Sequence, residues 1–283
     1  MRPCWVNGTF TMVHLPDEMR YSVSREVMTL LTAGMGQYIR EIRLEPDPGT
    51  DPSKYPFCLE AMRTLSNLPL HPNVTFLVGE NGSGKSTLIE AIAVACGFNP
   101  EGGTRNFQFT TEATHSALHR ALRVVRGVRQ PRDGFFLRAE SFYNAASYID
   151  ALDREPSRLP PLIGAYGGVS LHRQSHGEAF LALLTHRLGG NGLYLFDEPE
   201  AALSPMRQMT MLARIHELVT ADSQFVIATH SPILMAYPHA RILCVDRAYA
   251  PVTWRDVEHV QVTRAFLGDT ERMLGILLGE RDD

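Results

Sequence analysis

Residues 74–87 read VTFLVGENGSGKST, and the rest of the chain is most simply understood as arranged about them. The apolar run Val74 to Val78 favours a strand and stops at Gly79. Gly84, Lys85 and Ser86 then complete the spacing G-x-x-x-x-G-K-[ST] of a phosphate-binding P-loop. Glycines at these places let successive backbone N–H groups turn inward around phosphate oxygens. Lys85 is then placed to reach the β- and γ-phosphates, and the Ser86 hydroxyl to bind Mg²⁺. Gly79, Glu80, Asn81, Gly82, Ser83, Gly84, Lys85, Ser86 and Thr87 are therefore the candidate cradle. The next run, TLIEAIAVACGF, has helical apolar spacing, so the positive end of a helix would face the same anion.

Three elements downstream fit this beginning. RQSHGEAFLALLTHRL starts polar and becomes an amphipathic helix; GLYLFDEPE places an apolar strand, Leu193 to Phe196, before Asp197 and Glu198; QFVIATHSP places another, Phe225 to Ala228, before His230. Alternating strands and helices predict a mostly parallel sheet flanked by helices, with ligands at the carboxyl ends of the strands. A strand ending in Asp-Glu suits a P-loop, because one carboxylate must hold Mg²⁺ through water and the next must polarise the attacking water. Asp197 is thus the metal candidate and Glu198 the base.

Residues 1 to 36 show no clear period and are expected to be a flexible extension, with Met35 nearer the true start as a second reading; residues 37–283 form a single domain. YIREIRLEP, from Tyr38, alternates as a strand and predicts an N-terminal β-rich edge, followed by the turn-forming stretch Pro46 to Pro56. A helical insert is expected over about residues 100–160, including a helix from about Thr114 to Val128. On that helix Arg120, Arg123, Arg126 and Arg129 would share a face, with His115 and His119 nearby. Such a row is either a phosphate-binding stripe for nucleic acid or a solvated outer face, and the lack of interleaved aromatics favours the second. GFFLR reads as a strand, RILCVD as another followed by a short strand pair, and Asp269 to Leu278 as a C-terminal helix.

Composition excludes several classes. With 283 residues, 44% hydrophobic, the chain can build one large α/β domain. No apolar run approaches the ~18 residues of a membrane span, and MRPCWVNGTF lacks a signal-peptide core, so a cytoplasmic protein without membrane insertion is expected. The four cysteines form no close pair, which argues against a zinc or redox motif and fits a reducing compartment. A net charge of −4 implies no polyanionic partner. The basic residues are nearly all arginine; lysine occurs only at Lys54 and Lys85, which makes the one inside the loop more telling.

Together these motifs resemble the P-loop ATPase domain of the ABC superfamily, over about Tyr38 to Asp246. Gly79 to Thr87 matches its Walker A motif, QSHGE (Gln174 to Glu178) its LSGGQ signature, LYLFDEPE its Walker B, AALS (Ala201 to Ser204) its D-loop, and ATH its switch histidine, His230. His176 and Glu178 depart from the transporter-type signature, and this SHGE form is similar to small bacterial predicted AAA-type ATPases allied to the chromosome-structure and recombination-repair group. The lid glutamine is also missing. Glu140 sits in its place, with Arg138 or Gln108 as alternatives, so a carboxylate would approach Mg²⁺.

The resemblance implies ATP and Mg²⁺ as ligands and a homodimer in which Ser175, Gly177 and Glu178 of one copy close the P-loop site of the other. Glu198, Lys85 and His230 would act in hydrolysis, and Ser86, Asp197 and Glu140 would face the metal. The first functional reading is an ATPase coupled to a nucleic-acid or protein partner. The alternative is an ATP-gated, non-enzymatic binding or defence-related module, with a transporter energy subunit behind both. Prolines and glycines between Thr87 and Ser175 leave no room for a long coiled coil.

Overall fold

The computed structural model describes residues 2–6, 9–13, 37–105, 116–140, 142–154 and 160–279. The chain divides into two units, Met1–Met35 and Gly36–Asp283. In the first, β1 (Arg2–Val6) and β2 (Thr9–Val13) pair antiparallel, Arg2 opposite Val13. Met35 lies outside the described residues.

The second unit opens with β3 (Ile39–Leu44), α1 (Glu60–Thr64) and β4 (Asn67–Pro69), then β5 (Val74–Val78) and α2 (Lys85–Ala95). There follow α3 (Leu118–Ala121), β6 (Leu122–Arg126), β7 (Asp133–Arg138), α4 (Phe142–Leu152), α5 (His176–Ala182), β8 (Gly192–Asp197) and α6 (Pro205–Thr220). The chain continues through β9 (Gln224–Ala228), β10 (Ala240–Cys244), β11 (Ala250–Val252), α7 (Glu258–Gly268) and α8 (Thr270–Leu278). The central sheet has the order β11-β10-β5-β9-β8-β7, parallel except for the edge pair β10–β11.

Period-two alternation explains why this sheet is buried on both faces. Along β5 and β8, Val74, Phe76, Val78, Tyr194 and Phe196 join the core carrying α4, α5 and α6. Leu77, Leu193 and Leu195 point the other way, into the core built on α2 and the small sheet. That second sheet, β4-β3-β6, is antiparallel and is the β-rich edge expected from the sequence. Gln224, fully buried at the start of β9, ties the two sheets together. Its Oε1 accepts from the N–H groups of Tyr38 and Ile39 (3.0 and 2.9 Å), and its Nε2 donates to the carbonyls of Ile39 and His71.

The arginine-bearing helix is corrected. Among the described residues of this stretch, helix is confined to Leu118–Ala121, and the chain then passes into β6, which pairs with β3 with Arg123 opposite Arg43. LRVVR is a short alternating run whose β-branched Val124 and Val125 favour a pleated surface, and β3 offers it a partner edge. The arginines therefore share no helical face: Arg123 pairs with Glu45 at 3.5 Å, and Arg129 with Asp222 at 3.3 Å. The segment expected as a helical insert likewise contributes a strand to each sheet, β6 and β7. His115 and Gln108 lie outside the described residues.

Candidate nucleotide site

The P-loop sits between β5 and α2, and three of its glycines have left-handed backbone: φ is 153° at Gly79, 78° at Gly82 and 100° at Gly84. A Cβ at Gly84 would press on the side chains of Ala61 and Leu59, so α1 packs against the loop and closes one side. Lys85 is only 3% exposed. Its ammonium folds back across the loop and donates to the carbonyls of Gly79 (2.9 Å) and Glu80 (2.7 Å). Burial lowers the Lys85 pKa, against the pull of Glu198, Asp246, Asp197 and Glu80. Asp246, just past β10, accepts the Glu80 N–H at 2.7 Å and steadies the loop from the other side.

At the ends of β8 and β9 the other residues converge. Asp197, 4% exposed, accepts from the Ser86 hydroxyl, while its Oδ1 has no partner in the protein. Burial pushes its pKa up to about 7, opposed by Ser86 and Arg138 and reinforced by Glu198 and Glu140. A buried, half-satisfied carboxylate beside a hydroxyl is a donor set that fits Mg²⁺, because a cation restores the ionised form and fills the empty lone pairs. Glu198 has φ 48°, a left-handed backbone rare for a residue with a side chain, which turns its carboxylate off the strand and into the cleft. Its Oε1 lies 3.6 Å from His230 Nε2. The His230 N–H donates to Glu200 Oε1 at 2.6 Å, while Nε2 is buried and unpartnered. Burial, Lys85 and His259 lower the His230 pKa, opposed by Glu198 and Glu80.

A cavity of about 490 Å³ opens here, lined by Ser86, Arg138, Glu140, His176, Asp197 and Glu198. Arg138, at the end of β7, places Nη1 2.7 Å from Glu90 and Nε 3.8 Å from Asp197. Glu140, expected at the lid position, has a largely exposed side chain that pairs with Arg138 Nη2 at 3.4 Å. A guanidinium, not the Glu140 carboxylate, is therefore what stands beside Asp197.

The signature residues do not gather at this cavity, apart from His176. Ser175 starts α5, and both its N–H and its hydroxyl donate to Glu178 Oε2 (2.9 and 2.6 Å), a capping arrangement that engages the Glu178 carboxylate within its own chain. A Cβ at Gly177 would reach the Ala202 carbonyl at 3.0 Å, so glycine lets α5 approach the segment after Glu198. Sequence reasoning missed Glu200, Asp246 and His259. The first lies two residues past the Asp-Glu pair and could have been weighed with it, whereas the other two come from distant parts of the chain.

The comparisons with known proteins coincide with this site. Residues 60–132 match the family described as "AAA domain", and residues 163–236 the family described as "AAA domain, putative AbiEii toxin, Type IV TA system". Both matches are to AAA-domain families, each over about a quarter of the chain. The two matched stretches contain the P-loop and the Asp197–His230 half of the site respectively. Among solved structures the chain is similar to cbiO1 from Clostridium perfringens, part of the ABC transporter complex cbiONQ, at 16% identity and TM-score 0.45, over 86% of this chain and 99% of that one. It is similar to the SMC head domain from Thermotoga maritima at 16% identity and TM-score 0.36, over 73% and 95%. The dimeric structure of a bacterial ABC transporter cassette gives 16% identity and TM-score 0.36, over 64% and 85%. No curated protein matches the chain. Among the described residues no helix is long and apolar enough to cross a membrane.

Proposed function

We propose that the chain binds Mg·ATP and hydrolyses it, closing on the nucleotide as a homodimer in the cytoplasm and coupling that closure to a macromolecular partner. The observation that carries this is the meeting of Lys85, the Ser86–Asp197 pair, Glu198 and His230 Nε2 at the carboxyl ends of three adjacent strands. The P-loop N–H groups and Lys85 bind the phosphates, Lys85 leaving the Gly79 and Glu80 carbonyls for them. Ser86 and Asp197 would hold Mg²⁺, which when bound supplies positive charge to the phosphate oxygens; Glu140 faces the same cavity from its rim. The Glu198 carboxylate orients the attacking water and takes its proton, and His230 Nε2 faces the terminal phosphate. In the dimer, Ser175, Gly177 and Glu178 of the second copy would close the site. The capping bonds between Ser175 and Glu178 fix the start of α5, the part of the second copy that would face the nucleotide.

No arginine stripe marks a nucleic-acid partner, since those arginines are spread over a helix, a strand and a loop. A specific observation favours the second reading, an ATP-gated module with little turnover: Arg138 stands next to Asp197, where it opposes a cation. Steady-state ATPase measurement on wild type and Glu198→Gln tests the proposal. Turnover in the wild type, falling about 10²–10³-fold in the variant while ATP binding is kept, supports the enzyme. An inert wild type that still binds Mg·ATP supports the module.

A further inference from the structure

Behind the switch histidine stands a second imidazole that no motif announces. His259 is near the start of α7, and its Nε2 lies 2.9 Å from His230 Nδ1, with ring centroids 4.6 Å apart and planes at 57°. Both sides of this contact are fixed. Val257 and Val260, which flank His259, are buried, and the Trp254 indole N–H donates at 2.9 Å to the carbonyl of Pro232, two residues beyond His230. The start of α7 and the loop after β9 are thus pinned together, and the two rings cannot drift apart independently.

One proton must lie between the two nitrogens, and its owner decides what His230 offers the cleft. If His230 Nδ1 carried it, a lone pair on Nε2 would face the Glu198 carboxylate at 3.6 Å and any phosphate oxygen placed there, a repulsive arrangement with no donor. If His259 Nε2 carries it, His230 Nδ1 accepts and Nε2 holds the proton, turned toward Glu198 and the terminal phosphate. The second arrangement also explains why His230 Nε2 is buried without a partner in the free protein: it is a donor aimed at a ligand. We infer that His259 is a positioning residue, donating to His230 Nδ1 so that His230 presents an oriented Nε2–H to the terminal phosphate. This rests on the functional reading above, and it makes α7 a mechanical extension of the switch.

Two readouts test it. In a double-mutant cycle, His259→Ala is expected to lower kcat about tenfold with ATP affinity changed less than twofold, His259→Gln, which keeps a donor, to restore most of the loss, and His259→Ala to have no further effect in a His230→Ala background. Full turnover in His259→Ala, or an equal fall in both backgrounds, overturns the assignment and leaves His259 as packing. The second readout needs no turnover: the ¹⁵N resonance of His230 Nδ1 in nucleotide-free protein labelled at histidine. It should report an unprotonated, hydrogen-bonded nitrogen that shifts in His259→Ala; a protonated Nδ1, or no shift, overturns the inference. If the wild type proves inert as an ATPase, the functional reading fails and this resonance alone decides for or against His259.

Discussion

Two polar clusters sit at opposite ends of the same pair of strands, and they are built on opposite principles. At the start of β7, Asp133 accepts two bonds from Arg187 (3.0 and 3.1 Å), one from the Gly189 N–H (3.1 Å) and one from the Tyr194 hydroxyl (2.9 Å), so its carboxylate is saturated. At the far ends of β7 and β8, Arg138 Nε and Asp197 Oδ1, with Glu200 Oε2 and His230 Nε2 nearby, are all buried without a partner. Buried polar groups are nearly always satisfied, because each orphan costs about 1–3 kcal/mol. The saturated end is cement. On the proposed function the unsaturated end is a receptor, whose missing bonds a ligand would supply. The burial that raises the Asp197 pKa makes the same point, since a purely structural carboxylate would be paired as Asp133 is.

Each cluster can be broken separately. The largest effect on stability is expected from Asp133→Ala, which strands the Arg187 guanidinium. Denaturant unfolding should show a loss of roughly 3 kcal/mol, with nucleotide affinity per folded molecule unchanged. The next effect concerns pH. Because the folded pKa of Asp197, about 7, lies above its ordinary 3.8, the folded state binds more protons than the unfolded between those values. Its stabilising contribution is therefore present at low pH and lost as pH rises toward 7. Nucleotide-free protein should lose roughly 2–3 kcal/mol from this site between pH 5 and pH 8, and Asp197→Asn should flatten that slope, as melting curves at the two pH values would reveal. A smaller effect is expected at Arg138. Replacing it with Gln removes a positive charge 3.8 Å from Asp197, and the Mg²⁺ concentration for half-maximal nucleotide binding should fall several-fold. An unchanged Mg²⁺ requirement would show that the guanidinium swings clear when the metal enters.

The site was legible in sequence where the chemistry demands contiguous residues. The P-loop spacing, the Asp197–Glu198 pair and His230 were each read from a few neighbouring positions, and the structure brings them together at the ends of adjacent strands. The parallel sheet followed from apolar runs such as YLF and FVI, which only burial on both faces explains. What stayed hidden depends on distant pairing. LRVVR looked helical through its arginine spacing, and only the free edge of β3 made it a strand. Arg138 approaches Asp197 because β7 lies beside β8 in register, and His259 reaches His230 because Trp254 and Pro232 join two loops; neither adjacency has a local signature.

The central claim is that the unpartnered groups at the carboxyl ends of β7, β8 and β9 are completed by Mg·ATP bound at the P-loop. Calorimetric titration of Mg·ATP into the Glu198→Gln protein, alongside the same protein carrying Lys85→Ala, tests it most directly. Saturable, Mg²⁺-dependent binding that disappears with Lys85→Ala is the predicted result. No binding to the folded Glu198→Gln protein, or binding indifferent to Lys85, would contradict the account.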